Sequence, residues 1–154
     1  MTYRITGLDP AAFRPLFHLR PAALAERGVR RMPVTSFPGF PCRLTLDDAE
    51  LGETVLLVNY QSVPAGPYRA RHAIFITEGL TEAASFMDAV PPALERRTLS
   101  LRAFDRDWDM VAAELAQPGE ADGAIRRMLA DPAVTIIHAH NATRGCFAAA
   151  VERA

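Results

Sequence analysis

The sequence predicts a single α+β domain on a mostly antiparallel β-sheet, with two or three short helices and a C-terminal β-hairpin. Three observations carry that expectation. Segments with strand character outnumber segments with helical character. Several neighbouring strand candidates are joined by short loops, as in antiparallel hairpins. The middle of the chain supplies no helices between its strands, which a doubly wound parallel fold requires. At 154 residues, 49% hydrophobic and 23% charged, the chain has the length and composition of one globular domain over residues 1–154.

The elements follow in order. Residues 2–8 alternate enough for a short opening strand. Asp9 is placed as an N-cap with Pro10 at the first helical position, and Pro21 opens "PAALAER", which Gly28 stops. "VRRMPVT" reads as an edge strand, because Pro33 has no N–H for a ladder. "SFPGFPC" is given no regular structure. "CRLTL" is a short alternating strand. "DDAELGE" is a turn or single helical turn, with Asp47 or Asp48 as cap and Gly52 at its end. "TVLLVNYQ" is β-branched and apolar on both faces, a buried strand, and "RHAIFIT" is the next. The stretch "EGLTEAASFMDAVPPALER" stays undecided between loop and helical turns. "RTLSLRAFD" and "DMVAAEL" form a hairpin. "GEADGAIRRMLAD" is the best helix, with Ile125, Met128 and Leu129 on one face and Pro132 beyond its end. "AVTIIHAH" and "CFAAAVE" close the chain as paired strands, residues 134–140 against 146–152.

Several function classes are excluded or unsupported. The net charge of -1 gives no basic field for nucleic acid or an anionic membrane. No run approaches the ~18 apolar residues of a membrane span. The first ten residues, "MTYRITGLDP", lack the basic and apolar regions of a signal peptide, and two cysteines are too few for a disulfide framework. A cytoplasmic location with two free thiols is therefore expected. All 17 basic residues are arginine, so Schiff-base, P-loop and kinase-type lysine chemistry has no residue to carry it. GxGxxG, GxSxG and CxxC are also missing.

Chemistry concentrates in "IIHAHNATRGCF". On a strand, His138 and His140 share a face with Ile136, while Ile137 and Ala139 face the other way. With a five-residue loop, "NATRG", His140 stands opposite Cys146 and His138 opposite Ala148, their Cβ atoms ~5 Å apart. With a four-residue loop, Asn141 pairs with Cys146 and the cysteine turns away. Gly145 supplies the positive φ that either loop needs. Three readings remain open. His138 and His140 are zinc or iron ligands, completed by His72, Cys146 or a carboxylate. Alternatively, Cys146 is a nucleophile assisted by a neighbouring histidine that Asn141 orients. In the third reading all of them are structural, satisfied polar residues near a sheet edge and a small buried thiol.

Other candidates carry less. Asp105, Asp107 and Asp109 begin like a calcium loop, but Met110 and Ala116 stand where Gly and Glu are required. Asp47 and Asp48 are adjacent and diverge, which suits capping better than paired carboxylate chemistry. Arg69, Arg71 and Arg144 are placed to meet near His72 and hold a carboxylate or phosphate.

Taken together, "FPCRLTLDDAELGETVLLVNYQ", "PYRARHAIFI", "LSLRAFD" and "IIHAHNATRGCFAA" resemble a bacterial family catalogued as domain of unknown function 1203. The resemblance runs from about Phe40 to the C-terminus. It rests on Phe40 to Arg43, Asp47 to Ala49, His72, His138, His140, Asn141, Gly145 and Cys146. It implies one intact domain and no particular activity, cofactor or partner.

Two functions of different class follow. One is an enzyme or binding protein for an anionic small molecule. Its pocket is built on Cys146, His140 and His138 as catalytic residues, with His72, Asn141, Arg144 and Arg71 binding the ligand and Cys42 nearby. The other is a non-catalytic module that forms a homodimer through a sheet edge or an apolar face.

Overall fold

Tyr3 and Ile5 are fully buried while Arg4 and Thr6 are exposed, and this two-residue period is the first strand, β1 (Tyr3–Thr6). The structure is a computed structural model that describes residues 1–154. After β1 come two 3-10 turns, the first opened by Asp9, whose carboxylate accepts the Ala11 N–H at 2.9 Å. Helix α1 (Pro21–Glu26) ends before Gly28, which sits at φ +68. β2 (Arg30–Pro33), β3 (Thr54–Val63) and β4 (Ala70–Ile76) form a three-stranded antiparallel sheet in the order β2-β3-β4. Pro33 closes the edge strand β2, as its missing donor requires.

The second sheet has six strands in the order β5-β1-β9-β8-β6-β7. β5 (Ser85–Met87) and the short helix α2 (Pro92–Glu95) come from the undecided stretch. β6 (Leu99–Phe104) and β7 (Met110–Ala116) are the expected hairpin, with Asp105 at its tip accepting the N–H groups of Asp107 and Asp109. That carboxylate organises the turn, as Asx side chains do. Helix α3 (Ala121–Leu129) precedes β8 (Ile136–Asn141) and β9 (Phe147–Arg153), which pair antiparallel as the C-terminal hairpin. The α+β class with antiparallel sheets and three short helices holds. The pairing is divided between two sheets because the chain leaves β1 and builds the small sheet before returning at β5.

The main core lies between α3 and one face of the large sheet. Ile125, Met128 and Leu129 pack with Leu99, Leu101 and Ala103 of β6 and Ile137 and Ala139 of β8. A second core joins Phe13 and Leu24 to Leu56, Val58, Ile74 and Ile76 of the small sheet.

Two local expectations are corrected. "CRLTL" makes no ladder: Leu46 lies at φ +58, and the Leu46 N–H returns to the Cys42 carbonyl at 2.9 Å. The Thr45 hydroxyl accepts the Asp47 N–H, so a side chain bends the backbone where the pattern suggested a strand. Asp48 caps no helical turn. Its carboxylate, with no side-chain exposure, takes Arg96 at 2.9 Å and Arg97 at 2.5 Å and clips the loop to α2. Burial alone would raise this carboxyl, and Arg97, the Gly39 N–H and Arg96 together outweigh it and hold it below the ordinary range.

Candidate functional site

Strand alternation in β8 turns Ile137 and Ala139 into the main core and His138 and His140 onto the opposite face, only 3% and 2% exposed. The neighbouring strand β6 sets Arg102 directly across from His138 and Ser100 across from His140. Directly paired residues share a face, so the guanidinium and the hydroxyl join the two imidazoles. The small sheet meets this face. His72 of β4 brings its ring to 4.9 Å from His140, and Tyr60 of β3 stands 5.3 Å from Phe147. Phe104 and Trp108 close the His138 side at 5.2 and 5.6 Å.

The hydrogen bonds fix what each ring offers. His140 Nδ1 lies 2.9 Å from the Gly145 carbonyl, so it carries the proton and donates, leaving an unprotonated lone pair on Nε2. His72 Nε2 is 3.0 Å from the Ser62 hydroxyl. His138 Nδ1 is buried with no partner. Burial pushes His138 down to about 4, helped by repulsion from His72 when that ring is protonated and from Arg102. His140 is pushed down to about 3 by burial, which the Gly145 bond only partly opposes. His72 is lowered by burial and then by Arg102 and Arg43. At neutral pH three neutral imidazoles therefore lie in the field of Arg102, and Arg43 also acts on His72. Arg102 bonds only the Ser100 hydroxyl, at 3.2 Å, and forms no ion pair with a carboxylate.

The hairpin adopts the four-residue loop. The Asn141 N–H donates to the Cys146 carbonyl at 3.0 Å, and His140 pairs with Phe147 rather than Cys146. A bulge at Ala148 then sets His138 opposite Ala150. Cys146 and Asn141 leave the histidine face. The thiol receives Arg43 Nη2 at 3.1 Å and Asn141 Nδ2 at 3.4 Å instead.

His72, His138 and His140 are thus gathered, although no three His, Cys, Asp or Glu side chains converge in an arrangement able to hold a metal ion. Arg71 lies on the outer face of the small sheet, bonded to Asn59 at 2.5 Å and Gln61 at 2.9 Å. Arg144 is exposed in the hairpin loop, and Arg69 in the β3–β4 loop. Sequence reasoning missed Arg102, Ser62, Tyr60 and Phe147 on one side and Arg43 on the other. The alternation of "LSLRAF" shows Ser100, Arg102 and Phe104 on one face, but only the β6–β8 pairing says which histidines they meet.

Fold and site together define a two-sheet α+β protein with a histidine–arginine face and a separate arginine-bound thiol. The chain belongs to the family described as protein of unknown function (DUF1203), whose model matches residues 39–153. No curated protein and no solved structure matches it. The matched span contains Arg43, His72, Arg102, the two β8 histidines and Cys146.

Proposed function

We propose that this chain is a small-molecule-binding protein that takes an anion at the face formed by His72, Arg102, His138 and His140. One observation carries the reading: Arg102 stands among three imidazoles with no carboxylate to neutralise it. A carboxylate or phosphate would accept from the guanidinium and draw protons onto the rings, whose neutral state is set by burial and by that cation. Binding would take up protons and tighten as the pH falls.

Thermal unfolding with millimolar inorganic phosphate or citrate at low salt tests this. Tm should rise in the wild type and stay unchanged in Arg102→Gln. Equal responses from both proteins, or none from either, would reject the reading. Zinc or iron that survives purification and is lost in His140→Ala would instead assign the face to metal chemistry.

A second reading rests on β7, a free edge strand on which Val111 is 43% and Leu115 is 64% exposed. Such an edge suits pairing with a second copy into a homodimer. Sedimentation should then give a dimer that Leu115→Lys dissociates, and a monomer at every concentration rejects it. The two free cysteines fit a reducing cytoplasm, and no helix is long and apolar enough to cross a membrane.

A further inference from the structure

Arg43 is 2% exposed, and no carboxylate pairs with it. Its Nε donates to the Phe147 carbonyl at 2.7 Å, its Nη1 to the Pro41 carbonyl at 2.5 Å, and its Nη2 to Cys146 Sγ at 3.1 Å. A guanidinium buried without a counter-ion is costly to hold in place. The fold nevertheless spends backbone acceptors to aim it at sulfur. Asn141, only 7% exposed, supplies the second donor to that sulfur, and its Oδ1 has no partner. Arg43 and Asn141 share the wall of a cavity of about 10 Å³ with Cys42 and Ala148, room for a single water or one oxygen atom. Cys146 itself is half-buried.

We propose that Cys146 is an oxidant-reactive thiol that hydrogen peroxide converts to sulfenic acid. Sulfur attacks one peroxide oxygen, so an S–O bond forms as the O–O bond breaks. Sulfur loses two electrons and the peroxide gains them. The thiol proton ends on the departing hydroxide, which leaves as water. Arg43 supplies positive charge beside the reacting centre as the hydroxide departs, and the new S–O–H group is the donor that Asn141 Oδ1 lacks. The histidine face takes no part, so this proposal stands independently of anion binding there.

The experiment pulses the full chain with hydrogen peroxide, traps sulfenic acid with a cyclic 1,3-diketone, and measures labelling of each cysteine by mass spectrometry. The native chain, the chain unfolded in urea and free glutathione are compared at one pH. Cys146 in the native protein should label about tenfold faster than either reference, and Cys42, 2% exposed, should stay unlabelled. Arg43→Lys and Asn141→Leu, with native circular dichroism verified, should lose most of that advantage. A thiol that is merely half-buried reacts more slowly folded than unfolded. Native Cys146 labelling no faster than the unfolded chain would therefore overturn the proposal without reliance on any variant.

Discussion

His138 is held against its own chemistry. Its ring is 3% exposed among Phe104, Trp108 and Phe147, and its Nδ1 has no hydrogen-bond partner. A leucine would fill such a position without an unsatisfied polar atom, so a histidine here reduces stability in a way that suits a site more than a core. The pH dependence follows with a definite sign. In the unfolded chain the ring titrates near 6.5, whereas the fold pushes it to about 4, and His140 to about 3. The unfolded state therefore binds more protons below pH 6.5. Stability is fully present above that value and is lost as the pH falls toward 4 and 3. Between pH 8 and pH 5 each histidine should withdraw about 2 kcal/mol. Urea unfolding of His138→Leu should show that difference shrink by roughly the share of one histidine, and an unchanged difference would show that His138 is not buried neutral. His138 and His140 were legible as a shared face from the HxH spacing alone. Arg102 was not, because strand pairing across some forty residues decides it.

At the scale of the element, the C-terminal hairpin is the clearest case of a structure written in local sequence. Two apolar segments flank a polar loop ending in Gly145, and the strands formed where that pattern places them. What the pattern left open was one residue of register. The loop closes with the Gly145 N–H donating to the Asn141 carbonyl at 2.7 Å, and this moves Cys146 to the side of Arg43. Gly145 sits at φ +75, and a Cβ there would meet nothing within 4 Å. Gly145→Ala should therefore lose about 1 kcal/mol from backbone conformation alone, measured by urea denaturation. A loss of several kcal/mol would point to a collapsed His140–Gly145 contact instead. "CRLTL" shows the opposite limit. Its alternation is real, but the Thr45 hydroxyl turns the backbone and Leu46 adopts a positive φ, neither of which periodicity reveals.

At the scale of the whole molecule, the antiparallel class was readable because hairpins are local, whereas the partition into two sheets was not. β1 joins β9 and β6 joins β8 across long stretches of chain, and those pairings carry no sequence period. The small sheet packs onto the histidine face, with His72 against His140 and Tyr60 against Phe147. If the two cores are one cooperative unit, the single tryptophan, Trp108, and far-ultraviolet circular dichroism should report one coincident unfolding transition. Separate midpoints would mean that the two sheets unfold independently. The central claim is that this junction binds an anion through Arg102 and neutral imidazoles, and nitrogen-15 NMR of the histidine rings during a phosphate titration near pH 6.5 tests it most directly. The rings of His72, His138 and His140 should be neutral in the free protein, move toward imidazolium as phosphate is added, and fail to move in Arg102→Gln. Rings already protonated without phosphate, or responding equally when Arg102 is replaced, would contradict the account.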